Sequence, residues 1–256
     1  MSLQELLRHP GAGDHIVQTY QDLAVLAESV AEYVAAGLNA GEAAIVIARP
    51  QHRRKFIDAL ASHGIDAQRC IEHGQLRLLD AEETLALFMA DGMPQWKPFR
   101  QTVGGLVAEA RLSYRGVRAY GEMVDILWQQ GRRDAAIRLE EYWNDLGKLQ
   151  TFSLLCAYFM DPLDSKAYEG PLQCVCKVHS HLIPTRDYEG LGNAVSDATA
   201  KVLDKPFAKL LLSLAASHRT STNMPPGQAA LLWLARNMPR TAEKVLSEVR
   251  ASTAAR

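Results

Sequence analysis

Cysteine is scarce in this chain: four among 256 residues, Cys70, Cys156, Cys174 and Cys176. That density excludes a small disulfide-stapled scaffold. An export signal needs an unbroken apolar stretch near the N-terminus, where Glu5, Arg8 and His9 stand instead, so a cytoplasmic protein with free thiols is expected. Long apolar runs are missing as well. The best of them, Phe152 to Met160, is far short of the roughly 18–20 residues that a bilayer crossing requires, so no membrane association is expected. Neither sign of charge dominates, because 28 Lys plus Arg against 29 Asp plus Glu leave a net charge of −1. A global pull toward nucleic acid or an anionic surface is thereby removed, and no direct nucleic-acid binding is expected.

Glycine is absent where a phosphate-binding loop needs it. After Gly41 the next glycine is Gly64, so no G-x-x-x-x-G-K-[ST] motif follows the first apolar run, and ATP hydrolysis by that route is not expected. There is no recognisable catalytic triad, no internal repeat and no long low-complexity tract. The chain reads as a protein without enzymatic activity.

What is present suffices for a folded core: 48% of the residues are hydrophobic and 22% charged. Apolar spacing over Gln18–Ala36 predicts a helix, with Gly37 as its left-handed terminator. The unbroken run Ala43–Ala48 (AAIVIA) predicts a strand buried on both faces, ended by Pro50. Then follow a helix over Arg53–His63 closed by Gly64, a strand over Gln75–Leu79, and a helix over Glu82–Met89 with Asp80 as N-cap. A loop with Gly92, Pro94 and Pro98 leads to a helix over Phe99–Ser113, the strand Val117–Tyr120, a helix over Arg132–Gln150 and the strand Phe152–Tyr158. Strands alternating with helices predict an α/β, three-layer, mostly parallel sheet over residues 10–161. Residues 162–256 read as a mainly helical C-terminal extension, with Leu172–Val178 as strand or helix and helices over Pro206–Ala216, Gln228–Asn237 and Thr241–Val249. Ser217–Gly227 has the composition of a loop.

Open α/β sheets bind ligands at the carboxyl ends of their strands. The first such place is ARPQHRRKF, where Arg49, His52 and Arg53, with Arg54 and Lys55, are candidates for an anion at a helix N-terminus; a solvated basic helix face explains the same residues. The second is YGEMVDILW, in which Tyr120, Glu122 and Asp125 follow a strand end. A carboxylate there serves as ligand anchor, base or metal ligand, and a capping role is the plainer alternative. Glu140 and Asn144 lie one turn apart beside Trp143 in RLEEYWNDL, and Cys156 lies in a predicted buried strand. The sharpest metal-like cluster is C-V-C-K-V-H-S-H, where Cys174, Cys176, His179 and His181 offer four donors within eight residues. Its spacing departs from the usual zinc pattern, and packing and hydrogen bonding are the plainer reading of these residues, ahead of metal or redox use.

The segments GLNAGEAAIVIARPQHRRKF, HGQLRLLDAEETLALFMADGMP, VRAYGEMVDILWQQG, RLEEYWNDL and FSLLCAYFM, in this order, resemble the MEDS domain, the sensory domain of methanogens, methylotrophs and the regulator DcmR. The resemblance spans residues 13–161. It implies a degenerate RecA-like or KaiC-like sheet that has lost its nucleotide motifs. It also implies a regulatory domain that binds a small molecule, a hydrocarbon derivative for example, and acts on a kinase or transcription regulator. A nucleotide- or anion-dependent switch built from Arg49, His52, Arg53 and Glu122 is the alternative. A third reading is a protein-binding adaptor or homodimer using Leu210, Leu211, Leu214, Leu231, Leu232 and Trp233. The cofactor is left open.

Overall fold

Residues 2–168, 170–217 and 222–254 are described by the computed structural model, and the chain divides into two units, 1–159 and 160–256. In the first unit the elements run α1 (Leu3–Arg8), β1 (His15–Tyr20), α2 (Leu23–Asn39), β2 (Ala43–Ala48), α3 (Pro50–Ser62), α4 (Ala67–Glu72), β3 (Leu76–Asp80), α5 (Ala81–Ala86), β4 (Met89–Ala90), β5 (Met93–Pro94), α6 (Trp96–Ser113), β6 (Val117–Gly121), α7 (Met123–Gln129), α8 (Arg133–Leu149) and β7 (Ser153–Phe159). Five strands of this unit lie in the order β3-β2-β6-β7-β1, and every neighbouring pair is parallel. Parallel pairs need crossover connections, which the intervening helices supply.

The residues explain the layering. All six positions of β2 are buried, as its unbroken apolar run requires when both faces are covered. In β7, Ser153 bonds the Tyr33 hydroxyl of α2 at 2.8 Å, whereas Tyr158 bonds Glu140 of α8 at 2.7 Å. Odd and even residues of a strand point to opposite faces, so α2 and α8 cover opposite sides. On the α2 side Phe56 of α3 packs edge-on against Tyr120. On the α8 side Trp143 lies over Gly121, where an added Cβ would stand 3.4 Å from the indole.

The predicted strands and helices of this unit are present, accompanied by the short unpredicted helices α1, α4 and α7, and three of the predictions are corrected. His15–Tyr20 is a strand, not the start of the helix over 18–36: Asp22 accepts a hydrogen bond from the Ala24 amide and starts α2 only at Leu23. Gly37 does not terminate that helix. It lies within α2, while Gly41 takes the left-handed turn at φ 75°. Gly37 is needed for space instead, since a Cβ there would stand 2.5 Å from the Arg118 side chain. Buried Arg118 donates to the Leu7, Tyr33 and Arg8 carbonyls and to Glu42. Finally, the stretch after Ala86 is not helical through Met89. It turns into the antiparallel pair β4 and β5, with Asp91 and Gly92 both at positive φ, as a tight hairpin demands.

The second unit contains α9 (Ser165–Tyr168), α10 (Pro171–Val178), β8 (His181–Ile183), α11 (Tyr188–Val202), α12 (Lys205–Ser217), α13 (Pro226–Asn237) and α14 (Pro239–Ala254). It is mainly helical. Val195, Ala198, Leu231, Leu234, Val245 and Val249 are buried in it. The segment 172–178 is helix rather than strand, with Pro171 in its first turn. Of the predicted loop 217–227, residues 218–221 lie outside the described residues. Among the described residues no helix is long and apolar enough to cross a membrane.

Candidate functional site

The strand-end residues Arg49, His52, Tyr120, Glu122 and Asp125 converge. Chain direction explains it: β2 and β6 are neighbours, so the loops leaving their carboxyl ends share one crevice. One leads into α3 and the other into α7 and α8, on opposite faces. Glu122 is 0% exposed. Its Oε1 accepts the Arg49 backbone N–H at 2.5 Å, and its Oε2 lies 2.6 Å from His52 Nδ1 and 3.1 Å from the Tyr120 hydroxyl, which donates to it. The Arg49 guanidinium bonds Asp125 at 2.7 Å and lies 3.8 Å from Glu122. Asp125 also accepts from the Phe159 amide at 2.9 Å and from Gln129.

Electrostatics follow from this packing. Burial opposes the Arg49 charge, but the Asp125 and Glu122 carboxylates outweigh it and hold the guanidinium firmly protonated. Burial, and then Glu122, push the Tyr120 hydroxyl far above its ordinary range, so it stays a donor. Arg53 is directed elsewhere, to Asp80 at 3.0 Å. Because Arg49 is the N-cap of α3, the Glu122 carboxylate sits where an external anion would meet that helix N-terminus. The protein supplies its own anion.

A second buried network lies beneath α8. Glu140 meets Cys156 there, with Asn144 one turn on and with His15 and Tyr158, two residues that sequence reasoning did not single out; Trp143 packs alongside, against Phe99 and Phe152. His15 Nε2 is 3.2 Å from Glu140 Oε2 and 3.3 Å from Cys156 Sγ. Sγ and Glu140 Oε2 are 3.6 Å apart. His15 Nδ1 bonds Asn144 Oδ1 at 2.9 Å, and the Tyr158 hydroxyl donates to Glu140 Oε1 at 2.7 Å. The strand register brings this about. His15 pairs with Leu154 and Val17 with Cys156, so His15 and Cys156 point to one face, under Glu140. Burial, reinforced by the Glu140 carboxylate, raises the Cys156 thiol well above its usual range. The β-branched run Ile16, Val17 and Thr19, with the Asp22 N-cap behind it, signals the strand that carries His15 but not the neighbour that brings His15 to Cys156.

Beside this network is a cavity of about 180 Å³ lined by Gly13, Asp14, His15, Trp143, Asn144, Gly147, Lys148, Phe152 and Leu154. It joins four polar side chains, those of Asp14, His15, Asn144 and Lys148, to the aromatic and aliphatic walls of Trp143, Phe152 and Leu154.

Cys174, Cys176, His179 and His181 are not brought together as one donor set. Cys174 and Cys176 are two apart on α10, which turns them to different sides of a helix. Burial pushes the Cys176 thiol up to about 12. His179 Nδ1 donates to the Val175 carbonyl at 2.7 Å, and His181 lies between Ser180 at 2.9 Å and Asn223 at 3.3 Å.

A parallel sheet covered on both faces, with charged networks buried at its strand ends and beneath α8, defines an α/β domain of the kind that houses small polar sites. The model of the MEDS family, the methanogen/methylotroph, DcmR sensory domain, matches residues 14–180. That is well over half of the chain, and the chain belongs to the MEDS family. No curated protein matches it.

Proposed function

We propose that this chain is a non-enzymatic cytoplasmic sensory protein whose α/β unit binds a small molecule and thereby regulates a signalling partner. The observation that carries the reading is the cavity against α8. At about 180 Å³ it suits a molecule of only a few heavy atoms, since one water fills about 30 Å³ of liquid. Apolar walls with a few convergent polar groups are the usual lining of such sites. Membership of a sensory-domain family supports the same role, and a small hydrocarbon derivative fits the volume. Sensing further requires that the ligand bind two states of the protein unequally.

An anion-dependent switch at Arg49 and His52 is less favoured, because any incoming anion must displace the Glu122 carboxylate. For the output, Phe207, Leu210 and Leu214 form an exposed stripe on α12, with Leu210 56% exposed, whereas Leu211 and Leu231 are buried. That stripe supports a partner-facing role for the second unit.

Gly147 provides the test. A Cβ there meets nothing within 4 Å, so this cavity-lining helix position has room for a side chain to start, and Gly147→Leu is the variant chosen to obstruct the cavity. Native mass spectrometry of the purified full chain, then melting in a panel of short-chain halides, alcohols and amines, is expected to reveal a bound or stabilising compound. That response is lost in Gly147→Leu. An equal response in both proteins would sink the reading.

A further inference from the structure

We propose that His15, Glu140 and Cys156 form a binding site for a divalent cation of the zinc type, through one imidazole nitrogen, one carboxylate oxygen and one thiolate. The inference stands on the donor geometry alone and does not depend on the sensory reading.

The three donor atoms make a triangle with sides of 3.2, 3.3 and 3.6 Å. Tetrahedral zinc with bonds of about 2.0–2.3 Å sets its nitrogen, oxygen and sulfur ligands roughly 3.4–3.6 Å apart. The triangle therefore matches one face of a coordination tetrahedron to within a few tenths of an ångström. All three residues are buried.

The surroundings orient each donor. Asn144 Oδ1 can only accept, so the bond to His15 Nδ1 places the ring proton on Nδ1 and turns the Nε2 lone pair toward Glu140 and Cys156. Tyr158 occupies Glu140 Oε1, which leaves Oε2 facing the other two donors. Such outer partners on both a histidine and a carboxylate ligand are the usual supports of metal centres. Charge balances too. On binding, the Cys156 S–H bond breaks, an Sγ–metal bond forms and the proton leaves to solvent, so thiolate and carboxylate together neutralise the dication without any redox change. The neighbouring cavity that His15 lines offers an access path.

The test uses the full chain, stripped with a chelator and titrated with Co²⁺ alone. One equivalent is expected to produce thiolate-to-cobalt charge-transfer absorption, which Zn²⁺ abolishes by displacement. Cys156→Ser loses that band, while Cys174→Ser keeps it. Should Cys156→Ser fold poorly, Asn144 provides the second arm as a positioning residue. Asn144→Ala weakens cobalt affinity about 10–100-fold, and Asn144→Asp, which keeps an acceptor for Nδ1–H, restores it. Absence of the band in folded wild-type protein, its survival in Cys156→Ser, or unchanged affinity in Asn144→Ala would each overturn the proposal.

Discussion

Two carboxylates are buried on opposite faces of the same sheet, Glu122 at 0% exposure and Glu140 at 1%, and they serve different ends. Glu122 is held by a backbone amide, an imidazole and a phenol, with a guanidinium beside it. Its donors belong to α3, the preceding loop and β6, so it works as a clasp that fastens the β2–α3 connection to the neighbouring strand. Glu140 has one oxygen tied to Tyr158, while the other faces a thiol and an imidazole. A thiol proton is exchangeable for a metal ion, and a backbone amide proton is not. Burial alone therefore does not distinguish a structural carboxylate from a functional one; the chemistry of its partners does.

The largest expected effect comes from breaking the clasp. Glu122→Ala strands the Arg49 amide, His52, the Tyr120 hydroxyl and part of the Arg49 charge, and breaking a buried pair of this kind costs about 3–5 kcal/mol. Urea unfolding of the variant measures it; a loss below about 1 kcal/mol would mean that the Glu122 bonds are not a clasp at all. Glu140→Gln in metal-free protein sharpens the contrast from the other side. The amide keeps an acceptor for Tyr158, so only about 1–3 kcal/mol is expected to go, and a cost as large as that of Glu122→Ala would erase the distinction.

Thiol chemistry gives a smaller effect without any substitution. Burial and the Glu140 carboxylate keep Cys156 protonated, and the thiolate is the nucleophile. Iodoacetamide applied to native protein at mildly alkaline pH should therefore modify the half-buried Cys174 before Cys156, with the order read by peptide mass spectrometry. Equal labelling would place Cys156 outside the closed network described for it.

How far the sequence announced these two networks depends on how local their geometry is. Arg49, His52, Glu122 and Asp125 were legible because parallel α/β sheets gather strand-end loops into one crevice, and each residue follows a recognisable strand. Their mutual bonds were not legible, since these need the β2–β6 register. The second network was half visible. Glu140 and Asn144 fall on one side of a helix, and Cys156 in a strand, but His15 was hidden because Tyr20 continues the apolar spacing of α2 backward into β1. Only the adjacency of β1 and β7 places His15 beside Cys156, and strand order is not a local property. Gly37 carried the same limit. A glycine near a helix end reads as a terminator until the buried Arg118 that needs its space is seen across the fold.

The smallest of these effects probes the edge of the clasp. Arg49 is the member that reaches solvent, its side chain 20% exposed, and it serves Asp125 at 2.7 Å and Glu122 at 3.8 Å with one planar group. Lysine carries the same charge but concentrates it on one nitrogen, so Arg49→Lys can hold Asp125 or approach Glu122, not both. Partial exposure screens the loss, which limits the expected cost to about 1 kcal/mol, and the backbone amide of residue 49 still bonds Glu122. The difference between Arg49→Lys and Glu122→Ala in parallel urea titrations thus separates the guanidinium's share from that of the amide, imidazole and phenol. If the lysine variant lost as much stability as Glu122→Ala, the guanidinium would be the principal partner and the site an ordinary ion pair. A small loss instead assigns the clasp to the amide, imidazole and phenol around it, which is the arrangement that sets Glu122 apart from Glu140.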